Sequence, residues 1–151
     1  YTAHGWYYLP FEKKPDTSNW WKMDNKSRKL KEGPDLNILV SVKKIDKGIS
    51  VKISAGGCDG VPVFVEMSFN DGVIVNGDGF MCEGTQGGAI TVKSGEVNVT
   101  KGIDSMAIGP GFGKALVREH QLQEVGRSTG GFTMYFSDIS YFEHVITIKE
   151  K

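Results

Sequence analysis

Gly109, Gly111 and Gly113 stand at alternate positions in the stretch SMAIGPGFGKAL, residues 105–116, and Lys114 follows at once. A glycine-rich loop ending in lysine can wrap phosphates with its backbone amides, but a phosphate loop needs glycine, four residues, then Gly-Lys-Ser or Gly-Lys-Thr, whose hydroxyl holds magnesium. Ile108 stands where the first glycine belongs, and Ala115 where the hydroxyl belongs. Counted from Gly109, the dinucleotide fingerprint puts Lys114 in place of its third glycine, with Pro110 inside the turn. Both motifs also need a strand that feeds a helix, whereas this stretch reads as a join between two strands. The expectation is a corner, not a phosphate cradle.

His4, His120 and His144 are the only histidines, and Glu119 and Glu143 each precede one directly. Neighbours along a strand face opposite sides, so neither glutamate orients its adjacent imidazole. His144 alternates with Ile146 and Ile148, which points to a hydrogen-bonded histidine at the edge of a core rather than to a general base. Carboxylate pairs such as Glu66 with Glu83 could meet across strands in a polysaccharide hydrolase or lyase, although no nucleophile elbow or metal cluster is evident. FNDGVIVNGDG offers Asn70, Asp71, Asn76 and Asp78, the hard oxygen ligands calcium takes, but without the calcium-loop spacing or its closing bidentate Glu. Asn-Gly and Asp-Gly turn chemistry accounts for the same residues, so no cofactor is expected and a structural calcium is the one weighed. Cys58 and Cys82 show no CxxC or paired-histidine spacing, which disfavours zinc and leaves either one disulfide or two free thiols. The sequons at Asn25 and Asn98 matter only on a eukaryotic secretory route.

The first 35 residues gather all three tryptophans among tyrosines, lysines, prolines and turn residues. Sugar rings present C–H bonds that stack on electron-rich aromatic faces, with nearby polar side chains to bond the hydroxyls. The candidate platform is therefore Trp6, Trp20 and Trp21, assisted by Tyr7 and Lys22. Arg118 or His120 would pair with a sugar carboxylate or sulfate. The competing expectation is that these rings close one open end of the core or pack on a neighbouring domain. In a strand, Trp20 and Trp21 would point opposite ways, so at most one would be buried.

The elements that must position these groups are strands. LNILVSVKKI puts Leu36, Ile38, Val40 and Val42 on one face, and ISVKIS repeats the pattern with Ile49, Val51 and Ile53, the two joined by Asp46-Lys47-Gly48. ITVKSGEVNVT reads as two alternating runs about a tight Ser94-Gly95 turn. Further strands are expected in VPVFVEMSF, GVIVN, FMCEG, DSMAI, GFTMYF and HVITIK. KALVREHQLQE contains good helix formers, yet Leu116, Arg118, His120 and Leu122 alternate, and a strand is preferred there as well. Short, regularly spaced strands punctuated by 20 glycines predict an all-β fold, an antiparallel two-sheet β-sandwich of jelly-roll type.

At 151 residues the chain is one domain, 1–151, with residues 1–35 covering or extending the sandwich. Eighteen basic residues balance eighteen acidic ones, so no broad field argues for nucleic acid, and neither that balance nor any long apolar run argues for a membrane. The start, YTAHGW, has no charged head and no initiating Met, and the chain reads as a piece of a longer protein.

GIDSMAIGPGFG and GGFTMYFSDISYFEHVITIKE resemble the end of β-sandwich domains appended to large bacterial proteins that degrade acidic polysaccharides, relatives of the heparinase-type lyases among them. The similar elements are Asp104, the Gly109-Pro110-Gly111 turn, an aromatic strand, and the step from Phe142 to His144 into the last alternating strand. The resemblance spans roughly the last fifty residues and is turn and strand grammar, so no active site carries over. It implies an exported setting, extracellular, periplasmic or at the cell surface, and a domain that follows a catalytic one. Together with the aromatic cluster, it points to a non-catalytic carbohydrate-associated domain that binds polysaccharide. The alternatives are an accessory domain packed on the catalytic domain of the same parent protein, and a free-standing polysaccharide-cleaving enzyme.

Overall fold

The computed structural model describes residues 1–113 and 131–151. Its described residues hold thirteen strands: β1 (Thr2–Ala3), β2 (Trp6–Tyr8), β3 (Leu30–Glu32), β4 (Leu36–Ile45), β5 (Gly48–Gly56), β6 (Pro62–Asn70), β7 (Val73–Gly77), β8 (Phe80–Gly84), β9 (Ala89–Thr91), β10 (Val97–Lys101), β11 (Asp104–Gly109), β12 (Gly131–Ile139) and β13 (Phe142–Glu150). Eight form one sheet in the order β1-β4-β5-β13-β11-β10-β7-β8, three form a second in the order β6-β12-β9, and β2 and β3 make a two-stranded sheet of their own. The fold is an antiparallel two-sheet β-sandwich; among the described residues its parallel contacts are the ladder between β9 and β12 and a single bridge between Gly113 and Ser137.

Period-two alternation decides which face of each strand turns inward. On the large sheet the register sets Val51 opposite Ile146 and Ile53 opposite His144, and it carries the inward row on through Ile108, Val97, Val99 and Val75. Phe132, Met134 and Phe136 of β12 close over that row, backed by Val65, Met67 and Phe69 of β6. Phe136, Met134, Ile108 and Ile146 are fully buried, and each such side chain stabilises the fold by about 1.5–3 kcal/mol relative to exposure. β12 is buried on both faces, since Thr133, Tyr135 and Ser137 are as inaccessible as the residues that alternate with them.

Two sequence expectations change. ITVKSGEVNVT is not a hairpin: β9 pairs with β12 in the small sheet, while β10 lies between β7 and β11 in the large one. Both edges of β10 are already taken, so the chain crosses from one sheet to the other at Gly95, whose φ of 69° suits the reversal. On β4 the inward face is correct, but only Ile38 reaches the core. Val40 and Val42 are 55% and 60% exposed, since among the described residues the larger sheet has eight strands and the sheet that covers it three.

Candidate functional site

The N-terminal aromatics form the site with the most exposed chemistry. β2 and β3 pair Trp6 with Glu32, Tyr7 with Lys31 and Tyr8 with Leu30, so Trp6 and Tyr8 share a face and Tyr7 takes the other. Beyond β2, Asn19 starts a short 3-10 turn over Trp20–Lys22: its Oδ1 accepts the Trp21 N–H at 3.1 Å, and its own N–H reaches Thr17 Oγ1 at 3.1 Å. Asn25 Nδ2 donates to the Trp20 carbonyl at 3.1 Å, and Ser27 Oγ donates to the Asp24 carbonyl at 2.8 Å, which fixes a second turn over Asn25–Ser27. These bonds reverse the chain and bring Arg28 back across the end of β2.

Arg28 anchors the segment. Its Nε donates to the Leu9 carbonyl at 2.7 Å and a terminal nitrogen donates to the Tyr8 carbonyl at 3.0 Å. Its guanidinium carbon lies 5.2 Å from the Tyr8 ring centre, 5.0 Å from that of Phe11 and 5.7 Å from that of Trp20, a three-ring cation–π enclosure. Arg28 also lines a surface cavity of about 500 Å³ with Leu9, Phe11, Lys13 and the Glu12–Lys29 pair. Lys29 Nζ meets Glu12 Oε1 at 2.6 Å; this hydrogen bond and the attraction of opposite charges hold the Glu12 carboxyl below the usual carboxylate range and Lys29 above the usual lysine range. A second cavity of about 480 Å³ lies between His4, Trp6, Glu32 and Asp35, where His4 Nδ1 and Asp35 Oδ1 are 3.0 Å apart.

The three tryptophans are in different local settings. Trp20 belongs to the Arg28 enclosure, Trp6 lies at the other cavity, Trp21 is 90% exposed, and among the described residues no ring pair joins them. The 3-10 turn, unlike a strand, leaves both Trp20 and Trp21 in solvent. Tyr7 and Lys22 are exposed as well. Arg118 and His120, together with the strand expected around them, lie outside the described residues. Sequence reasoning missed Arg28, Tyr8 and Phe11. The available signal was an arginine eight residues beyond Trp20 in an aromatic-rich run.

The other candidates resolve into structural roles. His144 Nε2 lies 2.7 Å from Asp138 Oδ2, and its ring stacks on Phe112 with centres 4.0 Å apart and planes at 13°. It is the hydrogen-bonded histidine at the core's edge that alternation indicated. Glu143 faces away and meets Lys52 at 2.8 Å. Glu66 points outward from β6 and Glu83 outward from β8, on different sheets, so this carboxylate pair does not form. The four calcium candidates are split between the two ends of β7, roughly 16 Å apart at the usual strand rise, and cannot share one ion. Cys58 and Cys82 are both free thiols, and burial pushes the Cys82 thiol up.

The glycine-rich corner is set by close packing. A Cβ at Gly109 would lie 2.8 Å from the Glu96 Cα, and one at Gly111 would lie 2.6 Å from Val92 Cγ1 and 2.8 Å from the Val92 carbonyl oxygen. The Gly111 N–H donates to the Gly95 carbonyl at 2.6 Å, so an amide that a phosphate would need is already engaged. No family model, curated protein or solved structure matches the chain.

Proposed function

We propose that this chain is a non-catalytic, carbohydrate-associated β-sandwich domain that binds polysaccharide through its N-terminal aromatic segment. The observation that carries this reading is the exposure of Trp6, Tyr7, Tyr8, Trp20 and Trp21 on a segment whose two strands, among the described residues, pair with each other alone. Aromatic area of this kind left in water marks a binding surface, and the adjoining cavities supply the charged groups that bond hydroxyls and acidic substituents. The resemblance of the last third to domains of polysaccharide-degrading proteins favours the same ligand class, an exported setting and a catalytic domain in the same parent protein.

The test is intrinsic tryptophan fluorescence during titration with acidic and neutral polysaccharides, because all three tryptophans lie in the segment. A saturable change, reduced by Trp20→Ala, is the expected result. A flat response from a folded chain overturns the reading.

A second reading rests on a different surface. Val40 and Val42 on the uncovered part of β4, with Ile49 beside them on β5 and a fully exposed Ile103 at the β10–β11 turn, leave apolar area bare at one end of the large sheet. An accessory domain would bury this end against a catalytic partner. Concentration-dependent dimerisation of the isolated chain, abolished by Val42→Lys, would favour it.

A further inference from the structure

Arg28 is a half-buried cation with no countercharge: among the described residues no carboxylate pairs with it, and its hydrogen bonds go to two backbone carbonyls. A guanidinium carries five N–H donors in a fixed fork, so three remain. Tyr8, Phe11 and Trp20 hold the group by their ring faces, which fixes its position without neutralising it. The cavity it lines also contains Lys13, Lys29 and Glu12; three cations less one carboxylate leave a charge of +2 in a chain whose net charge is zero. Glu12 is already engaged by Lys29. The cavity volume of about 500 Å³ falls within the ~300–1,000 Å³ of small-ligand sites.

From these groups we infer that the cavity between residues 9–13 and 27–29 is an anionic subsite that takes the carboxylate or sulfate substituent of an acidic sugar, with Arg28 as its principal donor and Lys13 as a second charge. The inference rests on the polysaccharide-binding reading and narrows it to acidic polymers. A carboxylate or sulfate fits the guanidinium fork by paired N–H···O bonds, and Trp20, 52% exposed with its ring centre 5.7 Å from the guanidinium carbon, is the neighbouring aromatic surface for the sugar ring. A neutral sugar would leave the charge uncompensated, so the subsite discriminates by charge before it discriminates by shape.

The experiment titrates the whole chain with polygalacturonate oligosaccharides, a sulfated glycosaminoglycan and neutral dextran, at low and at 0.5 M salt. The acidic ligands are expected to bind at low salt and the neutral one not. Binding of only the uronate, or only the sulfated polymer, also supports the inference and identifies the substituent. Arg28→Lys, which keeps the charge and loses the fork, is expected to weaken acidic binding about ten- to hundredfold. Should that variant also disturb the segment, as judged by near-UV circular dichroism, Lys13→Glu decides, because Lys13 is exposed and makes no ion pair among the described residues. Acidic and neutral polymers bound equally, with Lys13→Glu without effect, would sink the inference and leave the polysaccharide reading standing. No saccharide bound at all removes both.

Discussion

Replacing His144 with alanine probes the link between the two sheets, because Asp138 belongs to β12 in the small sheet and His144 to β13 in the large one. Asp138 is 3% exposed, and its Oδ2 lies 2.7 Å from the imidazole, so the substitution removes a hydrogen bond to a buried carboxylate, worth about 1.5–3 kcal/mol. It also removes the stack on Phe112, worth about 0.5–1.5 kcal/mol. The sum is a loss of about 3 kcal/mol, and with a urea slope of roughly 2 kcal/mol/M the unfolding midpoint should fall by about 1.5 M. His144→Phe separates the two contributions: it keeps a ring against Phe112 and loses only the bond, so its midpoint should fall by about 1 M, less than for alanine. The assay is equilibrium urea unfolding by far-UV circular dichroism, with Asp138→Asn and the double variant completing a cycle. A coupling energy between His144→Phe and Asp138→Asn below about 0.5 kcal/mol would refute the idea that this pair pins the sheets together.

Three other outcomes follow from the geometry. Gly111→Ala should destabilise by about 1–3 kcal/mol, since the new methyl meets both the Val92 side chain and its backbone; an unchanged melting temperature would show that close packing does not require glycine at this corner. The Glu12 carboxyl, followed by NMR, should titrate below the range of an unfolded-chain glutamate. Because its folded value is lowered, the stability it contributes is present above the unfolded value and is lost as pH falls through the folded one; Lys29→Ala should restore the ordinary midpoint, and an unaltered titration would refute the pairing. Cys82 should alkylate more slowly at pH 8 than an unstructured cysteine, because burial raises its thiol and reduces the thiolate; equal rates would contradict its placement against the core.

How far the site could be read from the chain depended on the range of the interactions involved. The aromatic segment was evident as composition, and the strands flanking it as alternation, because both are properties of adjacent residues. The Arg28 enclosure was not, since Tyr8 and Phe11 reach Arg28 only after the chain has doubled back through the turns begun by Asn19 and Asp24. The split of the calcium candidates was implicit in their spacing, as the five residues of β7 hold the two turns apart.

By itself the sequence determined the all-β class, the inward faces of most strands, and the outward turn of Glu143 away from His144. Each of these follows from backbone periodicity or from steric rules that act within a few residues. Tertiary structure alone decided that β9 pairs with β12 rather than β10, that Val40 and Val42 lie beyond the smaller sheet, and that a lone arginine sits among three rings. Those outcomes depend on which distant segments compete for the same edge or face, and local pattern carries no record of that competition.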